Sequence, residues 1–313
     1  MLEDKRRLRT KIMKTPTTSM LTPEDHVELA ILESLRDLIR SRVRGVAERY
    51  QIGTYIYGRP GSSKTHTVIE TLESLDSPYR LFNCRMSGPG LYDLFRDHPE
   101  HVIVLDDINS LFKQKGALSV LLGALGGEPG RPRRITYQVR GKGKESCDFS
   151  GGVVAISNLP LRRDPETDAV ASRMAKLPYE TTDAMLIALA KSLALKGFED
   201  LTPDECMDVV KFVVVESRNM DLRIDLRTVV KAWQDRRLDK HGRSLRPWED
   251  LVRSSMDRAV PEPRSRAERV EWQRQIARQM FDKYPHDRAS RGREWQALTN
   301  SSVDTLYRRY RGD

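Results

Sequence analysis

The chain has 313 residues, 38% hydrophobic and 32% charged, with 54 Lys/Arg against 45 Asp/Glu and a net charge of +9. That length allows two or three domains, and the positive balance favours an anionic partner, nucleic acid first. There is no run of about 18 apolar residues and no apolar leader. The three cysteines (Cys84, Cys147, Cys206) form no CxxC pair. A membrane span, a secretory leader, a disulfide framework and a zinc site are therefore not expected, and a cytoplasmic location fits.

Residues 1–22 hold six Lys/Arg among the first twenty positions and read as a basic flexible arm. Thr22-Pro23-Glu24-Asp25 is a helix start: a hydroxyl cap, proline in the first turn, then acids that suit the positive end of the helix. The amphipathic helix that follows is predicted to reach about Tyr50. From 53 to 181, apolar strand-like runs alternate with helical segments, the pattern of a parallel α/β sheet. The predicted strands are 54–57, 79–84, 102–105, 135–139 and 152–157. Residues 182–258 read as helices only, at 182–196, 202–217, 226–237 and 247–258. Pro261 and Pro263 mark a linker at 259–264, and 265–313 reads as a small basic helical module. The expected units are thus 1–22, 23–181, 182–258, 259–264 and 265–313.

The segment Gly58-Arg59-Pro60-Gly61-Ser62-Ser63-Lys64-Thr65 lies between a strand and a helix. Two glycines let the backbone turn tightly so that amide N–H groups face phosphate oxygens. The helix start adds the positive end of its dipole. Lys64 would reach the outer phosphates of ATP, and the Thr65 hydroxyl would ligate Mg²⁺. Ser63 stands where the phosphate-loop pattern has its last glycine, so binding is expected to survive in weaker form. Forty-two residues beyond Lys64, a buried strand ends in Asp106-Asp107. Asp106 would hold the Mg²⁺ shell, and Asp107 would orient or deprotonate the attacking water.

This series resembles AAA+ ATPases over roughly residues 24–235, and the segments 87–95, 149–160 and Ala171-Ser172-Arg173 look like AAA+ ATPases encoded by bacteriophages and other mobile elements. The resemblance implies a three-layer α/β P-loop core with a parallel sheet and a helical lid, while residues 291–311 separately resemble the helix-turn-helix ends of DNA-binding proteins and give a small C-terminal helix-turn-helix-like module. The AAA+ resemblance also implies that Asn158, ending the strand at 152–157, positions the water. Arg173, in a helix fifteen residues on, would reach the γ-phosphate of a neighbouring subunit. Arg227 would contact nucleotide from the lid, with Arg223 a competitor for that role. The family commonly has Asp-Glu where this chain has Asp106-Asp107, which bears on turnover. An arginine acting across subunits implies a homo-oligomeric ring or filament, a hexamer being favoured.

Between the acid pair and Asn158, residues 131–149 read as a hairpin whose tip carries Arg140, Lys142 and Lys144. Such a tip would grip a phosphate backbone. The C-terminal residues 260–313 hold twelve Lys/Arg against eight acids. They read as an amphipathic helix at 266–284, followed by helix, polar turn and helix. Trp295, Leu298, Val303 and Leu306 are expected to form its core, and Ser301, Ser302, Thr305, Arg308 and Arg309 to face DNA. The function expected is ATP-dependent action on DNA in replication or mobilisation of a mobile element, as a loader or regulator or as a motor, with a replication or transposition protein as a possible partner. The alternatives are a translocating helicase dependent on Lys142 and Lys144, a protein remodeller, and a low-turnover nucleotide-dependent scaffold.

Overall fold

The computed structural model describes residues 21–83, 86–108, 111, 114–139, 143–161, 165–256, 266–299 and 301–311. These fall into two compact units. One comprises the described residues up to Val215 together with Ile224–Glu249. The other comprises Glu216–Arg223 and the described residues from Asp250 onward. Most of the expected arm at 1–22, the linker at 259–264, and Arg140 and Lys142 at the hairpin tip lie outside the described residues.

The first unit opens with helix α1, Pro23–Ala47, capped as its sequence requires. The Thr22 hydroxyl accepts from the Asp25 amide at 3.2 Å, and the Asp25 carboxylate accepts from the Thr22 amide at 3.0 Å. Five strands then form one parallel sheet: β1 Gly53–Tyr57, β2 Tyr79–Asn83, β3 Val102–Asp106, β6 Gly152–Ser157 and β7 Ala175–Pro178. Their order across the sheet is β2-β3-β6-β1-β7. Alternate residues of the central strands serve two separate cores. Tyr55, Ile103, Leu105, Val153 and Ala155 pack with helices α3 (Gly88–Asp97) and α4 (Lys115–Ala124). Ile56, Val102, Val104, Val154 and Ile156 pack with α1 and with α2 (Lys64–Ser74). Both faces are covered, which is why these strands read as unbroken apolar runs rather than alternating ones. The result is the expected three-layer α/β core.

The hairpin expected at 131–149 is present, and the main sheet differs from expectation in one strand. The strand at 135–139 is not part of the main sheet. It belongs to β4, Arg133–Val139, which pairs antiparallel with β5, Gly143–Phe149, in a separate two-stranded ribbon. Ile135 and Phe149 anchor the base of this ribbon in the core. The fifth strand of the main sheet is instead β7, which follows the short helix α5, Pro165–Ala171.

Helices α6 (Asp183–Ala194), α7 (Pro203–Asn219), α8 (Leu226–Lys240) and α9 (Trp248–Met256) follow. The second unit contains α10 (Arg266–Lys283), α11 (Arg288–Thr299) and α12 (Val303–Arg311). Ala277, Met280, Trp295 and Leu306 form its buried centre, with Ile276 and Phe281 packed against them. Leu298, expected in that core, is 43% exposed. No helix among the described residues is long and apolar enough to cross a membrane.

Candidate nucleotide site

The strand order brings together three segments far apart in sequence. β3, β6 and β1 are adjacent, with Asp106 paired to Ile156 and Tyr57 to Ser157 in register. Their carboxyl ends therefore present Asp106, Asn158 and the loop at 58–65 side by side. Ligands of open parallel sheets bind at this end, where the chain crosses from one side of the sheet to the other.

The loop has the geometry its composition suggests. A Cβ on Gly58 would sit 2.0 Å from the Tyr179 carbonyl oxygen, so only glycine fits. Gly61 has φ of 62°, and Ser63 has φ of 70° with ψ of 13°. These left-handed residues curl the backbone into a concave nest at the N-terminus of α2, where the first amides of the helix lack intrahelical partners. The position of the missing glycine is thus one that side chains disfavour. Ser63 is held there from α1: the Arg36 guanidinium donates to its hydroxyl at 3.0 Å.

Lys64 is 6% exposed. Its ammonium donates to the carbonyls of Gly58 at 2.8 Å and Arg59 at 2.7 Å, and to the Asn158 side-chain oxygen at 3.2 Å. Burial pushes this ammonium from 10.5 down to about 8, against the pull of Asp106; the Arg227 guanidinium pushes the same way and Asp225 resists. Asp106 is fixed at both oxygens, accepting from the Thr65 hydroxyl at 2.8 Å and from the Asp107 amide at 2.9 Å. Asp107 follows with φ of 53° and is exposed. The turn carrying Asn158 is braced by the Tyr55 hydroxyl, which donates to the Leu159 carbonyl at 2.7 Å, and by the Leu159 amide, which donates to the Ser157 hydroxyl at 3.0 Å.

The start of α8 rests on the loop. The Leu226 amide donates to the Gly61 carbonyl at 3.2 Å. The Asp225 carboxylate, which caps α8 through the Arg227 amide at 2.7 Å, lies where a Cβ on Gly61 would be, 1.7 Å from that position. Arg227 thus stands in the first turn of a helix docked on the loop, close enough to act on the Lys64 charge.

Several expected site residues have other contacts. The Arg59 side chain is a strut and does not line the phosphate nest. It is 9% exposed, pairs with Asp183 at 2.6 Å, and donates to the Thr181 carbonyl at 3.3 Å and the Ile224 carbonyl. The buried Ser62 hydroxyl donates back to the Arg59 carbonyl at 2.7 Å. Arg173 was expected within a helix. It stands in the turn after α5, exposed, donating to the Ala169 carbonyl at 2.6 Å. Lys144 lies on β5 opposite Gln138.

In the second unit, Ser302 caps α12: its hydroxyl accepts from the Thr305 amide at 3.3 Å and meets the Thr305 hydroxyl at 3.0 Å. Arg308 is exposed. Arg309 turns inward instead and donates to Gln273 of α10 at 3.0 Å. Arg291 is also internal, 7% exposed, with its guanidinium 3.9 Å from the Phe281 ring centre and donating to the Tyr307 hydroxyl at 3.0 Å. Part of the positive charge of this module is therefore spent on its own packing.

Arg36, Asp183 and Asp225 are contributors that motif reading overlooks. Only Asp225 carries a local signal, an acid directly before an apolar helical run.

No known family profile matches the sequence, and neither does any curated protein. Among solved structures, the chain is similar to the RuvB Holliday junction branch migration motor of Thermotoga maritima, at 15% identity over 88% of this chain and 84% of that one, with a TM-score of 0.47. Two mutant forms of that RuvB give 14% identity over the same shares and TM-scores of 0.48.

Proposed function

We propose that the chain is an ATP hydrolase of the AAA+ type that assembles into a ring or filament, a hexamer favoured, and acts on DNA. One observation carries the reading. Thr65 meets Asp106 at 2.8 Å while Lys64 meets Asn158 at 3.2 Å, so four residues from three strand ends converge beside a left-handed phosphate nest.

The residues present fit ATP and Mg²⁺. The nest supplies amides for phosphate oxygens. Thr65 and Asp106 supply two oxygen donors, the ligand type Mg²⁺ takes when substrate phosphates and water complete its shell. No cluster of three or more His, Cys, Asp or Glu placed to hold a metal occurs among the described residues. Mg²⁺ there would draw charge from the phosphate oxygens as the terminal bond breaks. Lys64 exchanges its carbonyl partners for phosphate oxygens. Asp106, fixed at both oxygens, keeps its orientation. Asp107 and Asn158 orient the attacking water. Arg227 approaches from α8, and the exposed Arg173 serves a neighbouring subunit.

Action on DNA rests on the sequence run Arg140, Lys142 and Lys144, read as a basic hairpin tip, and on the C-terminal helices, where Ser302, Thr305 and Arg308 offer phosphate contacts. The resemblance to enzymes of bacteriophages and mobile elements favours replication or transposition, as a loader or regulator or as a motor. The test is ATP turnover with and without single- and double-stranded DNA, with Arg173→Ala in parallel. DNA is expected to change turnover or assembly, and the variant to lose turnover. Indifference to DNA would remove the DNA reading, and normal turnover by the variant would remove the shared site.

A further inference from the structure

At the other end of the sheet, about 15 Å away by the rise of a five-residue strand, a buried arginine lies near a half-buried one. Arg133, at the base of the hairpin, is 5% exposed. One of its terminal nitrogens donates to the Gly151 carbonyl, and its guanidinium lies 5.2 Å from the centre of the Phe149 ring. Its Nε is buried without a partner. Arg49, just before β1, donates through one terminal nitrogen to the Glu100 carbonyl, and its other terminal nitrogen is likewise buried without a partner. The Arg133 guanidinium therefore meets a neutral carbonyl rather than a carboxylate, whereas the Glu100 charge offsets part of that of Arg49. Burial pulls Arg133 from 12.5 down to about 10, and the charge of Arg49 adds to the effect.

Like charges buried with unpaired N–H groups are destabilising unless an anion offsets them. A groove of about 510 Å³ opens beside them, between the end of α4 and the start of β4. Gly127, Arg131, Arg133 and Arg134 line it. Gly127 lies against the Arg133 side chain, and Gly130 lies against that of Arg49, each 3.4 Å from where a Cβ would stand. The only acid among the lining residues, Glu128, pairs with Arg131 at 2.9 Å. That leaves Arg133 and Arg134 without an acid in the groove. The volume lies within the range of small-ligand sites, roughly 300–1,000 Å³.

We propose that this groove is a binding site for a phosphate group, either a free phosphate anion or a backbone phosphate of nucleic acid, with Arg133 and Arg134 supplying the uncompensated charge. The site uses no residue of the nucleotide loop, so its failure would leave the proposed function standing.

The test compares thermal unfolding of the wild-type chain and Arg133→Met in inorganic phosphate and in chloride at matched ionic strength. Methionine keeps much of the volume and removes the charge. In chloride the variant is expected to be as stable as wild type or more so, because an unpaired buried charge is gone. Phosphate at ten times its dissociation constant is expected to raise the wild-type midpoint by about 3 °C more than that of the variant, corresponding to phosphate affinity at least tenfold weaker in the variant. Arg134→Met serves as the second variant should the first fail to fold. An equal phosphate response in wild type and variant, or no response beyond chloride, would overturn the proposal. Binding of a single-stranded oligothymidylate separates the sources. Tenfold weakening in the variant identifies nucleic-acid backbone, and unchanged binding with the phosphate response lost identifies a free anion.

Discussion

Ser63 offers a sharp physical test because it holds a side chain where the backbone favours glycine. In Ser63→Gly, relief of the left-handed conformation is worth about 1–2 kcal/mol. Against this, glycine adds unfolded-state entropy of about 0.5–1 kcal/mol, and the bond from Arg36 at 3.0 Å is lost, worth about 1 kcal/mol at this half-exposed position. The three effects cancel to within about 1 kcal/mol. Ser63→Ala loses the same bond and keeps the strain, so it should be less stable than the glycine variant by about 1 kcal/mol. Urea unfolding reads the difference as a midpoint shift of about 0.4 M. Equal stability of the alanine and glycine variants would refute the left-handed conformation. The glycine variant should bind ATP at least as tightly as wild type, and weaker binding would argue that the Arg36–Ser63 contact shapes the nest.

Three further outcomes follow from the geometry. Lys64 has a folded-state value near 8, below its ordinary 10.5. The unfolded chain therefore binds more protons between these values, and this group contributes stability that rises with pH across that window. ATP binding should restore its charge and take up about half a proton at pH 8, measured by calorimetry in buffers of different ionisation enthalpy; buffer-independent heats would contradict it. Breaking the Arg59–Asp183 strut with Arg59→Ala should cost about 2 kcal/mol and raise KM for ATP by loosening α8 over Gly61, whereas an unchanged KM would mean the strut serves folding alone. Trp295→Ala should cost about 3–5 kcal/mol and remove hydrogen-exchange protection from 266–311, while Leu298→Ala, at a 43% exposed position, should cost less than about 1 kcal/mol.

Much of the core was legible because parallel strands buried on both faces leave continuous apolar runs, as at Val102–Asp106 and Gly152–Ser157. β7 was not: its four residues include Lys176 and Pro178, and only Leu177 is buried. The 135–139 run could be counted among the sheet strands from its apolar ends, but the hairpin reading of 131–149 describes it correctly, since it pairs with its own return strand. The phosphate loop, Asp106 and Asn158 could be found because each follows an apolar strand with a fixed residue type. Arg36 could not, since one arginine on an amphipathic helix looks like any surface charge. Arg59 lies inside the loop motif, yet its partners Asp183 and Ile224 come from far along the chain. Arg309 reads as DNA-facing charge, although it donates to Gln273 within the module, and Arg291, counted in the module's basic charge, is held among aromatic rings. Charge counting cannot tell a basic face from a basic core.

The most direct measurement is equilibrium binding of a fluorescent ATP analogue, with Mg²⁺, to the wild-type chain and to Lys64→Ala. The account predicts that removing this ammonium weakens binding by at least about a hundredfold, since it is the charge poised at the phosphate nest. Unchanged affinity in Lys64→Ala would place the nucleotide elsewhere and contradict the site.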